Sequence, residues 1–328
     1  YCGFITWTFY FSLCLITIGS AYFIFYIKNK IYKKFILISS VAVFIILIIF
    51  FLKYRIYFNK YFLFLPSLSY FGFRSIESII YQYKINSFKL SSTILQTSFL
   101  PILMMGPITR VSDFEKDVYY DYEEVLKRLF YGLSMLIIGE WLGNYVIHKL
   151  LDTHGTFELW ISAFANSFHI YFLFAGYTHL IIGIGLLVGI KLPENFNNPY
   201  LSTSITEFWR KWHMSLSFWI RDFLYIPLGG NRKGLSRKVI NIVFAMIICG
   251  LWHGISLHYF LWGLFHGILL GIESIMTSYN FRPIKSFFPR FHKIIKTILI
   301  FILVTFSWIL FTYNISDIIF CFKVMFLW

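Results

Sequence analysis

What this chain can fold into is limited first by its apolar runs, several of which approach or exceed the roughly 20 residues a helix needs to cross a bilayer. Residues 3–27, 35–52, 129–151, 160–190, 239–254, 259–276 and 294–312 are such stretches, with basic clusters such as Lys28, Lys30, Lys33 and Lys34 between them. At 58% hydrophobic, 13% charged and a mean hydropathy of +0.70, the composition excludes a soluble globular domain. The expectation is an all-α polytopic membrane protein, one domain over residues 1–328, with about nine or more transmembrane and re-entrant helices. The first residue is Tyr rather than Met, so an initial segment is expected to be missing.

The formal charge of +14 follows from the short basic clusters, which fix orientation against a cytoplasmic membrane surface. With no basic soluble domain, no nucleic-acid partner is expected; the lipid bilayer is the expected surrounding. By the same rule, Arg232, Lys233, Arg237 and Lys238 before the 239–276 hairpin, and Arg282, Lys285, Arg290, Lys293 and Lys296 after it, share the cytoplasmic side. Cys2, Cys14, Cys249 and Cys321 lie in apolar runs without metal spacing.

Several runs are irregular. Pro66 and Gly72 predict a short or broken helix over residues 61–83, where Arg74 and Glu77 are close enough to pair if helical. Pro101, Gly106 and Pro107 break the next run. Residues 112–128 read as an amphipathic interfacial helix or loop, and the following span carries Glu140 as a single buried acid. Residues 160–190 are too long for one span, so a bent or paired helix is expected, with Gly185 and Gly189 at helix-contact spacing. Residues 192–201, with two prolines and three asparagines, predict a non-helical connection.

Against this background, residues 207–222 concentrate two Arg, one Lys, one Glu, one Asp and one His among Trp and Phe. Ser204 and Glu207 form a capping-box pattern for a helix from Ser204 to Tyr225, which would put His213, Ser217 and Arg221 on one slowly drifting face. Arg210, Lys211 and Arg221 suit a phosphate or carboxylate, or alternatively snorkel to headgroups. His253 ends a strongly apolar run, where a neutral imidazole can act as general base on a hydroxyl or simply bond a neighbouring carbonyl. The spacing of His253, His258 and His266 does not suit a metal, and GxSxG and GxxxxGK[ST] are absent, so no metal, hydrolase elbow or nucleotide-hydrolysis site is expected.

The block TSITEFWRKWHMSLSFWIRDFLYIPLGGNRKG, followed by CGLWHGISLHYFLWGLFHGILL, resembles the membrane-bound O-acyltransferase family. MMGPITR at 104–110 and FAGYTHLIIGIGLLVGIKLPENFNNPYL at 174–201 agree with it. The resemblance runs from about residue 60 to 313, to the bacterial branch that modifies cell-surface polymers. LPENFNNPYL, PLGGNRKG and GLWHG look most like its alginate O-acetyltransferase type, and HMSLSFWIRDF and FAGYT also look like its teichoic-acid D-alanyl type. One departure is Thr178-His179, where the alginate type carries Ser-Asp.

The resemblance implies a ring of helices around a thin core, with a funnel from the outer face meeting a donor tunnel from the cytoplasmic side. It implies His253 as the catalytic histidine and His213 as a second functional one, both expected in the catalytic site; Trp209, Arg210, Ser217, Arg221, Trp252 and His266 are expected as substrate-binding residues beside them. No cofactor is expected; the co-substrate is an acyl thioester, acetyl-CoA or an acyl carrier protein. The implied reaction is acetyl transfer to a hydroxyl of an extracytoplasmic polysaccharide, or to a periplasmic or secreted acyltransferase partner, at the bacterial inner membrane. D-alanyl transfer to teichoic acid, a transporter or flippase using the broken helices as a midplane site, and an inactive docking partner are the alternatives.

Overall fold

A computed structural model describes residues 2–58, 67–85, 87–147, 155–279 and 289–326. Pro66, Arg282 and Lys285, which carried expectations above, lie outside the described residues. Those described are helical, without strands, and six helices are long and apolar enough to cross a membrane: Thr8–Tyr26, Lys30–Lys53, Thr156–Leu187, Gly234–His253, Leu257–Ser278 and Phe291–Thr312. The protein is thus an all-α, multi-pass membrane protein. The chain forms two compact units, residues 1–129 with 178–193, and residues 130–177 with 194–328.

In the first unit α1 (Cys2–Tyr26), α2 (Lys30–Phe58) and α3 (Ser67–Ile85) pack on one another, followed by α4 (Leu90–Ser98), α5 (Pro101–Met104) and a 3₁₀ turn at Val111–Phe114. The expected break at Gly72 does not occur. It lies inside α3, where an added Cβ would come within 2.6 Å of the Ile48 side chain, so the glycine serves close helix contact. Arg74 and Glu77, three apart on α3, do not pair. The Arg74 guanidinium donates to the carbonyls of Tyr70 (3.3 Å) and Gln96 (3.5 Å), while Glu77 Oε2 accepts from Gln96 Nε2 (2.7 Å) and the Val111 amide (3.0 Å). Gln96 therefore sits between two buried charges and ties α3 to α4 and the 3₁₀ turn. The break at Gly106-Pro107 does occur, with Gly106 at φ 125°. Of the helix or loop expected over 112–128, residues 115–121 take the irregular form, before α6 (Tyr122–Trp141) begins.

In the second unit α6 ends in a π-helical turn, Leu142–Ile147, and α7 (Thr156–Leu187) carries its first two-thirds. Glu140 is exposed rather than buried and accepts from Asn144 Nδ2 at 3.3 Å. The long apolar run is not a helix pair: α7 is one continuous helix of 32 residues. No proline interrupts it, and Gly176 lets α6 approach closely, since a Cβ there would lie 2.9 Å from the Gly132 carbonyl oxygen. Gly185 instead packs on the chain returning at Ile190, and Gly189, at φ 78°, lies beyond the end of α7.

The polar block forms α8 (Ile205–Lys211), α9 (Met214–Ile220) and a π-helical turn at Arg221–Tyr225. Then come α10 (Gly234–His253), α11 (Leu257–Ser278), α12 (Pro289–Thr312) and the short α13 (Ile315–Phe326). The most intimate pair is α10 with α11. A Cβ on Gly250 would lie 2.2 Å from the Tyr259 carbonyl oxygen, and one on Gly263 2.4 Å from that of Met246. The α13 residues Ile318, Cys321 and Met325 pack on Leu159, Ala163 and Ile309.

Candidate active site

The site in the second unit begins with a helix that stops. Ser204 caps α8 by accepting the Glu207 amide at 3.1 Å. The returning half of the expected box goes one residue further back, because Glu207 Oε2 accepts from the Thr203 amide and hydroxyl, each at 2.8 Å. Glu207 Oε1 also meets Lys211 Nζ at 2.7 Å, and these donors hold its carboxyl down at about 2.

The single helix expected from Ser204 to Tyr225 is interrupted at Trp212-His213. Trp212 is extended, and His213 takes a left-handed conformation at φ 40°. The 192–201 connection, irregular except for a 3₁₀ turn at Pro199–Leu201, closes the gap: Asn195 O accepts the Met214 amide (2.9 Å), and Asn195 Oδ1 accepts the Ser215 amide (3.3 Å) and hydroxyl (2.6 Å). Backbone groups freed by the break are thereby satisfied inside the protein. The break also takes His213 off the common face with Ser217 and Arg221.

Four of the expected substrate-binding residues, Trp209, Arg210, Ser217 and Arg221, do come together. They line a cavity of about 600 Å³ with Lys238, Ala245, Met246, Cys249, Glu273, Ser274 and Thr277. Its charges are not all equally engaged. Glu207 is held by Lys211, Arg221 meets Asp222 at 2.8 Å, and Glu273 Oε2 accepts the Thr206 amide at 2.9 Å. Arg210 and Lys238 have no carboxylate partner among the described residues, so the cavity presents two cations to an anionic guest.

The α10 side of the cavity is a stripe: Lys238, Ile242, Ala245, Met246 and Cys249. At about 100° per residue these share one face, and the next residue on it is His253, one turn beyond Cys249. From Lys238 to Cys249 the wall runs about 16 Å at 1.5 Å per residue. It passes from a cation to small apolar side chains on its way toward the histidine.

His213 and His253 belong to a second cluster. Both rings pack on Trp252, at centroid distances of 6.0 and 4.5 Å respectively. His213 is buried, with Phe174 edge-on at 4.7 Å. It lies between helices, outside the six candidate spans, and burial together with neighbouring His253 pushes its imidazole well below the ordinary range, so it is neutral. His253 is partly exposed, with Phe311 at 4.7 Å, Trp262 at 5.7 Å and Tyr259 at 5.9 Å around it.

His266 lies in neither place. It is fully buried, with Trp209 Nε1 at 3.3 Å from its Nδ1 and Ser307 Oγ at 3.0 Å from its Nε2. An indole N–H can only donate, so Nδ1 accepts; Nε2 then carries the proton and donates to Ser307, which itself donates to Val304 O at 2.7 Å. This one-way chain fixes a neutral His266 behind the cavity wall, where it holds Trp209. Asn195, Lys238, Glu273, Tyr259, Trp262 and Phe311 escaped sequence reasoning as site residues. Asn195, a polar residue in a proline-bounded connector, Lys238, in the basic cluster at the start of α10, and Glu273, an acid inside an apolar run, left a local signal; the three aromatic residues left none. His179, at the departure noted above, is in the first unit with Arg128 Nη1 at 3.1 Å.

Residues 45–316 match the family model described as MBOAT, membrane-bound O-acyltransferase family. The chain is 36% identical over 256 residues to the probable alginate O-acetylase AlgI of Pseudomonas fluorescens, covering 74% of this chain and 50% of that protein. It is 34% identical over 229 residues to the peptidoglycan O-acetyltransferase of Helicobacter pylori, covering 66% and 43%. Against the teichoic acid D-alanyltransferase of Bacillus subtilis it is 32% identical over 244 residues, covering 66% and 58%. The chain spans about half the length of the first of these.

Proposed function

The chain belongs to the membrane-bound O-acyltransferase family, and on that premise we propose that it moves an acetyl group from a cytoplasmic thioester to a hydroxyl of an extracytoplasmic polysaccharide or carrier, in the bacterial inner membrane. The observation that carries this reading is the cavity wall on α10, which starts at Lys238 and points along one helix face to His253. Arg210 and Lys238 would meet the phosphates of coenzyme A or of a carrier protein's phosphopantetheine, and the thin arm would lie along Ala245, Met246 and Cys249.

His253 would take the proton of the acceptor hydroxyl as its oxygen bonds to the thioester carbonyl carbon. The carbon–sulfur bond then breaks, and the imidazolium returns the proton to the departing thiolate. A positioned base contributes typically about 10² to 10⁴-fold. Neutral His213 would assist from across Trp252, by orientation rather than by charge. Transfer of labelled acetyl to polymer in membranes tests this: His253→Ala, inserted at normal level, should lose at least about 100-fold, and wild-type rates in that variant would sink the assignment.

Similarity to a teichoic acid D-alanyltransferase favours a second reading, D-alanyl as the transferred group. Labelled D-alanine in the same assay separates the two. Substrate uptake by proteoliposomes without acyl transfer would point to a transporter instead.

A further inference from the structure

We propose that the aromatic side chains around His253, Phe311 above all, restrict the transferred group to acyl chains of two or three carbons; this rests on the acyl-transfer reading above. The donor arm arrives along α10 at Cys249, and the face it follows continues to His253. For the reaction to occur, the thioester carbonyl must lie beside the imidazole that takes the acceptor's proton. Sulfur and arm occupy the Cys249 side, so the carbonyl's other substituent, the acyl chain, points past His253.

What it meets there is an arc of rings. Phe311 is edge-on to the imidazole at 4.7 Å and 81°, and it also touches Tyr259 at 5.2 Å and Trp262 at 5.3 Å. These are contact separations for ring pairs. Because Phe311 already touches the imidazole, Tyr259 and Trp262, an added methylene on that side must displace a ring, so each added carbon is resisted. Among these rings, Phe311 is the one that can be shortened with least damage. It carries no polar atom and is partly exposed in the last turn of α12, whereas Trp262 is 1% exposed and stacks on Trp308 at 6.0 Å.

The test uses the whole chain in inverted membrane vesicles, with acetyl, butyryl and hexanoyl groups each supplied both as coenzyme A and as acyl-carrier-protein thioesters. Labelled acyl in the polymer fraction is counted. Wild type should transfer acetyl at least about 100-fold faster than hexanoyl, and Phe311→Ala should shrink that ratio at least about tenfold by raising hexanoyl transfer, as opposed to merely lowering acetyl. Phe311→Leu should fall between them and serves if the alanine variant does not insert. Comparable acetyl and hexanoyl rates in wild type, or an unchanged ratio in variants that still transfer acetyl, would overturn the proposal while leaving the acyl-transfer reading intact. Failure of wild type to transfer any of the three groups, or D-alanyl from a carrier-protein thioester, would remove that reading, and this inference with it.

Discussion

His213 occupies a backbone conformation that asparagine and glycine tolerate and β-branched residues do not. Exchange for asparagine should therefore keep the break between α8 and α9 while removing the imidazole. Exchange for valine should add strain of about 1–3 kcal/mol. Thermal unfolding in detergent should place His213→Asn near wild type and His213→Val clearly below it; equal losses would mean the ring, and not the backbone, secures the break. His266 makes a different prediction. His266→Phe keeps a ring but strands the Trp209 N–H, at about 1–3 kcal/mol for a buried unsatisfied group, while the Ser307 hydroxyl keeps its bond to Val304 O. Because Trp209 lines the cavity and His266 does not, the donor KM should rise more than kcat falls. A fall in kcat alone would argue against a positioning role. Glu207, held down at about 2 by Lys211 and Thr203, binds fewer protons folded than unfolded. Its contribution to stability is complete above the ordinary carboxylate value of 4.5 and is lost as pH falls through about 2, and Glu207→Gln should flatten that acid limb of the melting profile.

Among the elements, the hairpin of α10 and α11 positions most of the site, and it is held by backbone contact at Gly250 and Gly263. Gly263→Ala puts a methyl 2.4 Å from the Met246 carbonyl oxygen, where no flexible side chain can give way. The helices must part, at about 1–3 kcal/mol. Thermal unfolding should shift down accordingly, and an unshifted midpoint would show that the pair separates freely. This hairpin was legible in the sequence, because two apolar runs bracket a short break and hydropathy reports membrane residence directly. The break at His213 was not. Trp-His-Met-Ser-Leu-Ser holds neither glycine nor proline, and the partner that stabilises its irregular backbone, Asn195, comes from a separate connector. Arg74 and Glu77 misled for the same reason: helical spacing allowed a pair, but Gln96 on another helix bonds each of them instead. The four cavity residues read from the polar block were legible because one short segment contains them all. Phe311 was not, since nothing local ties a phenylalanine near the end of α12 to a histidine on α10.

At the scale of the whole molecule, six helices suited to a bilayer and basic loops between them set up a sidedness prediction. If Lys233 and its exposed neighbours face the cytoplasm, then Lys233→Cys should resist a membrane-impermeant maleimide in intact cells and react after permeabilisation. Ile255→Cys, in the exposed break at the other end of α10, should react in intact cells. The reverse pattern would place the cationic end of the cavity outside, and with it any thioester donor.

The shared face of α10 has a consequence for how this protein tolerates change. A guest anchored at Lys238 and a base at His253 are kept in phase by the pitch of one helix. One residue inserted between Cys249 and His253 would swing the imidazole about 100° round the axis and move it about 1.5 Å along it, leaving every side chain of the site present. Point substitutions at the small apolar positions of the wall would narrow or widen the passage, whereas a change of length would put the histidine out of phase with the passage leading to it.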